Sequence, residues 1–210
     1  MKIARLLAAT AALSLSLGLG GCVTVFPKTK PAQLYSFGSD VGLPTTTPAA
    51  AQTSPVGSLR LSMDFTRAAD KEQLLTTAGS ANAYIAQARW IAPASVLFQE
   101  ATERAFETAS PPIRLLQRAD SGIATLNLRI EVQAFETDYD DNWRGDPTVV
   151  IRVRTLLTRT GDHGLPLEGH FESRKTVSEA RLSHIVQAYD SATADVLKQV
   201  VDWTTEHAAG

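Results

Sequence analysis

Leu59, Leu61, Met63 and Phe65 alternate with Arg60, Ser62 and Asp64, the period-two pattern of a strand with one apolar face. The clearest alternation in the chain comes later. Leu126, Leu128, Ile130, Val132 and Ala134 point one way, and Thr125, Asn127, Arg129, Glu131 and Gln133 the other. A strand so patterned covers a core on one side and meets water on the other. Val149, Ile151, Val153, Thr155 and Leu157 predict the next strand, the Thr160-Gly161-Asp162-His163-Gly164 cluster turns it, and residues 168–177 make a third. These three read as an antiparallel meander. Residues 83–90 and 113–116 are weaker strand candidates, and Leu34-Tyr35-Ser36-Phe37 has the aromatic alternation of a short strand pinned to the sheet.

The period changes between these strands. After Pro93, a first-turn helix residue, Ala94, Phe98, Ala101, Ala105 and Ala109 recur at helical spacing until Ser110-Pro111-Pro112 stops them. Leu182, Ile185, Tyr189, Ala192, Val196, Val200 and Trp203 step by three or four and predict a long C-terminal helix with one apolar stripe. Trp203 closes that stripe as a core residue. One arrangement buries every stripe: an α+β fold in which an antiparallel sheet of about five to seven strands carries two helices on one face.

The N-terminus is of another kind. Lys2 and Arg5 precede an uncharged run over residues 6–17, and small residues lead to Leu19-Gly20-Gly21-Cys22. Twelve residues are short for a bilayer that needs about 20, so the segment reads as a cleaved secretory signal. Leu-Gly-Gly-Cys resembles the bacterial lipoprotein processing site, with cleavage between Gly21 and Cys22 and acylation of the Cys22 thiol. The expected organisation is a signal peptide over 1–21, a lipid-anchored tether over 22–57 with the short strand near 34–37, and a single α+β domain over 58–207. Pro27 and Pro31, then Pro44, Pro48 and Pro55 among Thr, Ala and Ser, mark the tether. Val23 stands where an Asp favours inner-membrane retention in many enterobacteria, so the expected location is the outer membrane, facing the periplasm.

Composition narrows the chemistry. The chain of 210 residues carries 20 Lys and Arg against 22 Asp and Glu, and loss of Lys2 and Arg5 moves the net charge from -2 to -4. No basic excess is present to displace counterions, so no nucleic-acid partner is expected. A single cysteine excludes an intrachain disulfide and a cysteine zinc site. His163, His170, His184 and His207 form no metal-ligand motif, and there is no P-loop, dinucleotide fingerprint or Gly-x-Ser-x-Gly. The expectation is a non-enzyme with no cofactor and no metal. The acidic stretch 138–146 bears on this, because Asp138, Asp140 and Asn142 match the first three ligands of a calcium loop. Its sixth and twelfth places hold Trp143 and Val149 instead of glycine and a carboxylate, so it reads as a solvated hairpin connection.

Five residues are candidates for partner binding. Arg89 and Trp90 sit at a strand-to-helix junction, where they offer a hydrogen-bonding fork beside a large apolar anchor; the alternative is that Trp90 plugs the core. Tyr139 and Trp143 lie in the acidic connection, either as exposed contact aromatics or folded back onto the sheet end. Phe135 breaks the polar face of its strand, which suggests an aromatic patch shared with Tyr139 and Trp143 for docking or self-association into a homo-oligomer. Burial of Phe135 under the 34–37 segment is the other reading.

Taken together, the lipobox, Leu-Tyr-Ser-Phe, Arg89-Trp90-Ile91-Ala92-Pro93 before a helix, and the closing helix from Ile185-Val186-Gln187-Ala188-Tyr189 to Val200-Val201-Asp202-Trp203 resemble a known family. It is that of the ABC-type transport auxiliary lipoproteins, the PqiC-like proteins. The resemblance implies a tethered, non-catalytic partner of an ABC permease, its ATPase and an MCE-type substrate-binding subunit, which move lipids or other hydrophobic molecules across the envelope. An envelope assembly or secretion-pilot lipoprotein, and a small hydrophobic-ligand binder, share the anchor and the body and remain alternatives. The long acidic connection and the extended linker before Ser58 depart from the pattern.

The lipobox is directly testable. Cys22→Ser should abolish acylation and leave uncleaved precursor, because processing follows modification of the thiol. Mass spectrometry of the N-terminal peptide reads both, and cleavage at any other bond would contradict the assignment.

Overall fold

The structure is a computed structural model that describes residues 31–39, 41, 57–109, 113–117, 119–139, 143, 145–162 and 164–208. The signal peptide, Gly21, Cys22, the linker at 42–56, the Pro111-Pro112 stop, Asp140 to Asn142 and His163 lie outside the described residues. Ala32–Gly210 form one compact unit.

Among the described residues, eight strands and two helices follow in the order β1 (Gln33–Tyr35), β2 (Ser58–Phe65), β3 (Gln73–Ala78), β4 (Ala81–Trp90), α1 (Ala94–Glu107), β5 (Arg114–Leu115), β6 (Leu126–Tyr139), β7 (Thr148–Arg159), β8 (Leu167–Thr176) and α2 (Leu182–Ala208). The class is α+β, but the expected antiparallel sheet of five to seven strands is corrected to a mixed sheet of eight. β6, β7 and β8 do form the antiparallel meander. The pairings β2–β6, β3–β6, β2–β5 and β1–β4 are parallel, and only β3–β4 adds another antiparallel ladder. Parallel neighbours need long crossover connections, and alternation within a strand says nothing about the direction of its neighbour.

β6 is the spine. β7 lies along its whole length on one side, while the other side is shared end to end. β2 pairs with it from Leu126 to Val132 and β3 from Thr137 to Tyr139. Between those two partners the β6–β7 register slips: Val132 faces Val153 and Ala134 faces Arg152, leaving Gln133 as an extra residue. One inserted residue reverses which side chains meet the core. Before the bulge, Leu126, Leu128, Ile130 and Val132 are buried; beyond it, Phe135 and Thr137 are.

Phe135 is therefore not the end of a solvent-facing row. It is 1% exposed, and its ring lies 4.9 Å from Phe37, 4.8 Å from Tyr189, 5.5 Å from Phe65 and 6.1 Å from Phe98. These rings come from the N-terminal segment, β2, α1 and α2, so one side chain joins the sheet to everything laid on it. The Tyr189 hydroxyl accepts from Thr137 Oγ1 at 3.2 Å and donates to the Leu75 carbonyl at 3.4 Å, and burial holds its pKa well above the ordinary tyrosine range. The helix stripes meet this layer as their periodicity predicts, with Phe98, Ala101, Ala105, Ile185, Tyr189, Ala192, Val196 and Val200 buried. Trp203 is only partly buried, at the edge of the core beside Phe171.

The N-terminal segment is part of the body. β1 runs parallel to β4 with Gln33 opposite Ala88, Ile91 N–H donates to the Tyr35 carbonyl at 2.7 Å, and Phe37 and Val41 are in the core. Gly38 fixes it to both helices: its N–H donates to Asp190 Oδ1 at 2.6 Å and its carbonyl accepts from Arg104 at 2.8 Å. Its φ of 73° is in the left-handed region, and a Cβ there would stand 2.7 Å from that of Ala101, so only glycine fits.

Phe135→Ala should lower unfolding stability by about 3–5 kcal/mol, the range for truncating a fully buried aromatic. Urea denaturation followed by circular dichroism measures it. A loss below about 1 kcal/mol would mean that the ring is not central to the core.

Candidate functional site

Adjacent residues on a strand point to opposite faces, and that separates the first candidate pair. Trp90 is 1% exposed and packs edge-on to Phe37 at 4.9 Å and to Tyr189 at 5.1 Å. Arg89 turns outward and pairs with Glu72, the residue just before β3, at 3.7 Å. The junction is structural as well: Trp90 N–H donates to the Glu72 carbonyl and Ala94 N–H to that of Lys71. The expectation of an apolar anchor presented to a partner is thus corrected for Trp90 and for Phe135, both core residues.

Tyr139 and Trp143 do come together. Their rings lie 5.8 Å apart at the end of β6, with Trp143 40% exposed. Register places this pair beside the β3–β4 turn, since Ala78 faces Tyr139 and Ala78 also faces Ala81. Partial burial raises the Tyr139 pKa above the ordinary tyrosine value. Trp143 has φ 57°, a left-handed conformation that favours glycine.

Next to this pair, the face of the sheet away from the helices carries interlocked charges. Arg154 on β7 grips Glu168 on β8 with two bonds, at 2.6 and 3.1 Å, and reaches Glu131 on β6 at 3.1 Å. Arg129 on β6 bonds Asp64 on β2 at 2.8 Å, and His170 lies 2.7 Å from Glu168. Nearer the Tyr139 end, Arg152 bonds Glu172 at 2.6 Å, while Arg174 lies 3.5 Å from Glu172 and 3.4 Å from Asp138. Sequence alternation put charges on this face, but which cation meets which carboxylate depends on register, so the ladder was not legible beforehand.

The paired guanidiniums set the carboxylates' acidity. Arg154 brings Glu168 down to about 2, and Arg152 holds Glu172 below the usual range. Glu136 moves the other way: partial burial, then repulsion from Asp138, raises its pKa against the opposing pull of Arg152 and Arg174. Glu136, Asp138, Tyr139, Arg152, Arg174 and Asn82 are among the residues lining an open groove of about 520 Å³. A second depression of about 400 Å³ lies between α1 and β5, lined by Arg60, Leu61, Gln99, Glu103, Leu115, Leu116 and Gln117. Among the described residues, no group of three or more His, Cys, Asp or Glu is placed to hold a metal ion, and no helix is long and apolar enough to cross a membrane. The exposed, mutually paired charges suit recognition of a polar surface.

Comparison with known proteins identifies the family. The model of the ABC-type transport auxiliary lipoprotein component matches residues 42–201. The chain belongs to that family. The membership carries a membrane-anchored envelope protein that works with an ABC transport system. Among solved structures, protein XCC0632 from Xanthomonas campestris is similar over 82% of this chain and 94% of its own, at 22% identity and a TM-score of 0.67. The crystal structure of an uncharacterised protein covers 83% of this chain and 99% of its own, at 12% identity and a TM-score of 0.61. Both likenesses concern the fold. No curated protein sequence matches.

The charge ladder makes a pH prediction for this auxiliary lipoprotein. Glu168 and Glu172 have folded values below the unfolded carboxylate value of about 4.3, so the stability they contribute is complete above that pH and is lost as pH falls toward 2. Glu136, whose value is raised, works in the opposite sense over the same acid range. Urea midpoints measured between about pH 5 and pH 2 should fall less steeply in Glu168→Gln than in the wild type. Identical pH dependence would show that the pair is solvent-screened to no effect.

Proposed function

We propose that the protein is a non-catalytic periplasmic component of an ABC/MCE-type system moving lipids or other hydrophobic molecules across the envelope. Cys22 anchors it by acyl chains, on the outer membrane, and its body docks on or aligns the conduit formed by the transport subunits. The observation that carries this reading is the family match across 42–201 on a chain whose Gly21-Cys22 stands in a lipobox. Support for docking over chemistry comes from the sheet's open face. Its carboxylates and guanidiniums engage one another across strands, as at Arg154–Glu168 and Arg152–Glu172, and present an alternating surface suited to a polar partner. ATP hydrolysis belongs to another subunit, since the sequence contains no P-loop.

Of the five candidate contact residues, Arg89, Tyr139 and Trp143 retain exposed surface, and they define the polar edge and the aromatic tip available to partners. Affinity purification of the tagged, acylated protein from detergent-solubilised membranes should recover a permease, an ATPase and an MCE-type subunit together. Recovery of an outer-membrane secretion channel instead would overturn the reading in favour of a pilot. A retained lipid with no protein partner would overturn it in favour of a ligand binder.

A further inference from the structure

The fold gives the lipid anchor a direction. β1 is parallel to β4, so its N-terminal end points toward the end of β4 that begins at Ala81. That end lies beside the β3–β4 turn and, through the Ala78–Tyr139 pairing, beside Tyr139 and Trp143. The opposite end of the sheet holds the β7–β8 turn, with Leu165 95% exposed, and Ile123, 83% exposed. The connection from Cys22 to the body is shorter than a tether running to residue 57, because β1 and Phe37 belong to the sheet and its core. Only the ten residues 23–32 separate the acylated position from Gln33. The eleven steps from Cys22 to Gln33 span at most about 40 Å when fully extended. Gln33 is opposite Ala88, seven positions along β4 from Ala81, so roughly 20 Å of sheet separates it from the Tyr139 end. β1 therefore leaves the sheet toward that end, and the Leu165 end lies on the far side of the body from its exit.

We propose that the Tyr139–Trp143 end of the sheet rests against the headgroup layer of the membrane that holds Cys22, and that it accepts zwitterionic phospholipid headgroups there. The proposal rests on the anchored reading above and adds the orientation and the contact surface. Tyrosine and tryptophan are the residues that settle at the membrane–water boundary, where an amphipathic ring finds both phases. Trp143 is 40% exposed, tilted against Tyr139 at 5.8 Å, and held at a backbone position that favours glycine. The adjacent groove is lined by both signs of charge, Arg152 and Arg174 beside Glu136 and Asp138, with Arg174 paired to Asp138. Charges balanced in this way suit a headgroup that itself carries both signs and give a purely anionic lipid no net attraction, which is why a zwitterionic headgroup is the better fit.

The test uses tryptophan emission in the full acylated protein. Trp90 is buried and Trp203 is half-buried beside Phe171, which leaves Trp143 to report contact. The protein is reconstituted into vesicles of phosphatidylcholine and phosphatidylethanolamine with and without a dibrominated lipid, a short-range quencher. Bromolipid should quench part of the wild-type emission, and Trp143→Phe should lose that quenching while keeping its circular dichroism and melting temperature. Leu165→Trp in the Trp143→Phe background should stay unquenched. Wild-type emission indifferent to bromolipid, quenching that survives Trp143→Phe, or quenching of the Leu165→Trp reporter would each overturn the orientation. Stronger quenching in phosphatidylglycerol vesicles would overturn the zwitterionic preference. Mass analysis of the N-terminal peptide from the same sample separates the two levels. Acylated Cys22 with an unquenched Trp143 refutes the orientation and spares the anchored reading, whereas unmodified Cys22 refutes both.

Discussion

A single extra residue in β6 governs how the molecule is put together. At Gln133 the register against β7 slips by one, at the point where β6 changes partner from β2 to β3 on its other side. Without the slip, Phe135 would share the polar face with Arg129 and Glu131. With it, Phe135 becomes the ring onto which Phe37, Phe65, Phe98 and Tyr189 converge. The hydrophobic gain is accompanied by edge-to-face and tilted ring contacts, each contributing about 0.5–1.5 kcal/mol beyond burial. Such a hub gives the N-terminal segment a place to dock, and Gly38 then locks it between Asp190 and Arg104.

What the amino-acid pattern could reveal follows from this geometry. Both helices were legible, since a 3.6 period predicts the buried face whatever lies beneath it, and so was the meander of long alternating strands. β3 was not. Its residues Leu74 to Ala78 are buried without a break, and a strand covered on both sides carries no period-two signal. β4 was weak because it bulges between the Gln73–Arg89 and Leu75–Tyr84 pairs and holds Gln87 at φ 61°. Phe135 was ambiguous for a stricter reason. Alternation assigns faces only while register is regular, and a bulge has no obligatory signature in the residues themselves. Of the candidate site, the Tyr139–Trp143 pair survives as an exposed feature, while the cross-strand charge ladder became visible only through register.

The same constraint links fold to function. Docking of β1 brings the start of the folded body forward to Gln33, so that the proposed anchor at Cys22 would also orient the module. A loose tether raises only the local concentration of a partner. A short one, entering at the sheet end proposed above, would also set which surfaces face the membrane and which face the transport machinery. The laced charges of the open face suit the second task. Such exposed ion pairs add little stability individually, yet together they present a sharply patterned polar surface.

The central claim is that residues 33–38 are part of the folded core, and hydrogen exchange of the acylated full-length protein tests it most directly. The Ile91 amide, bonded to the Tyr35 carbonyl, and the Gly38 amide, bonded to Asp190, are the reporters. The account predicts that both exchange only through global unfolding, with the same opening free energy as the amides around Phe135. Exchange of these two amides at the rate of an unstructured peptide, while β6 stays protected, would contradict it.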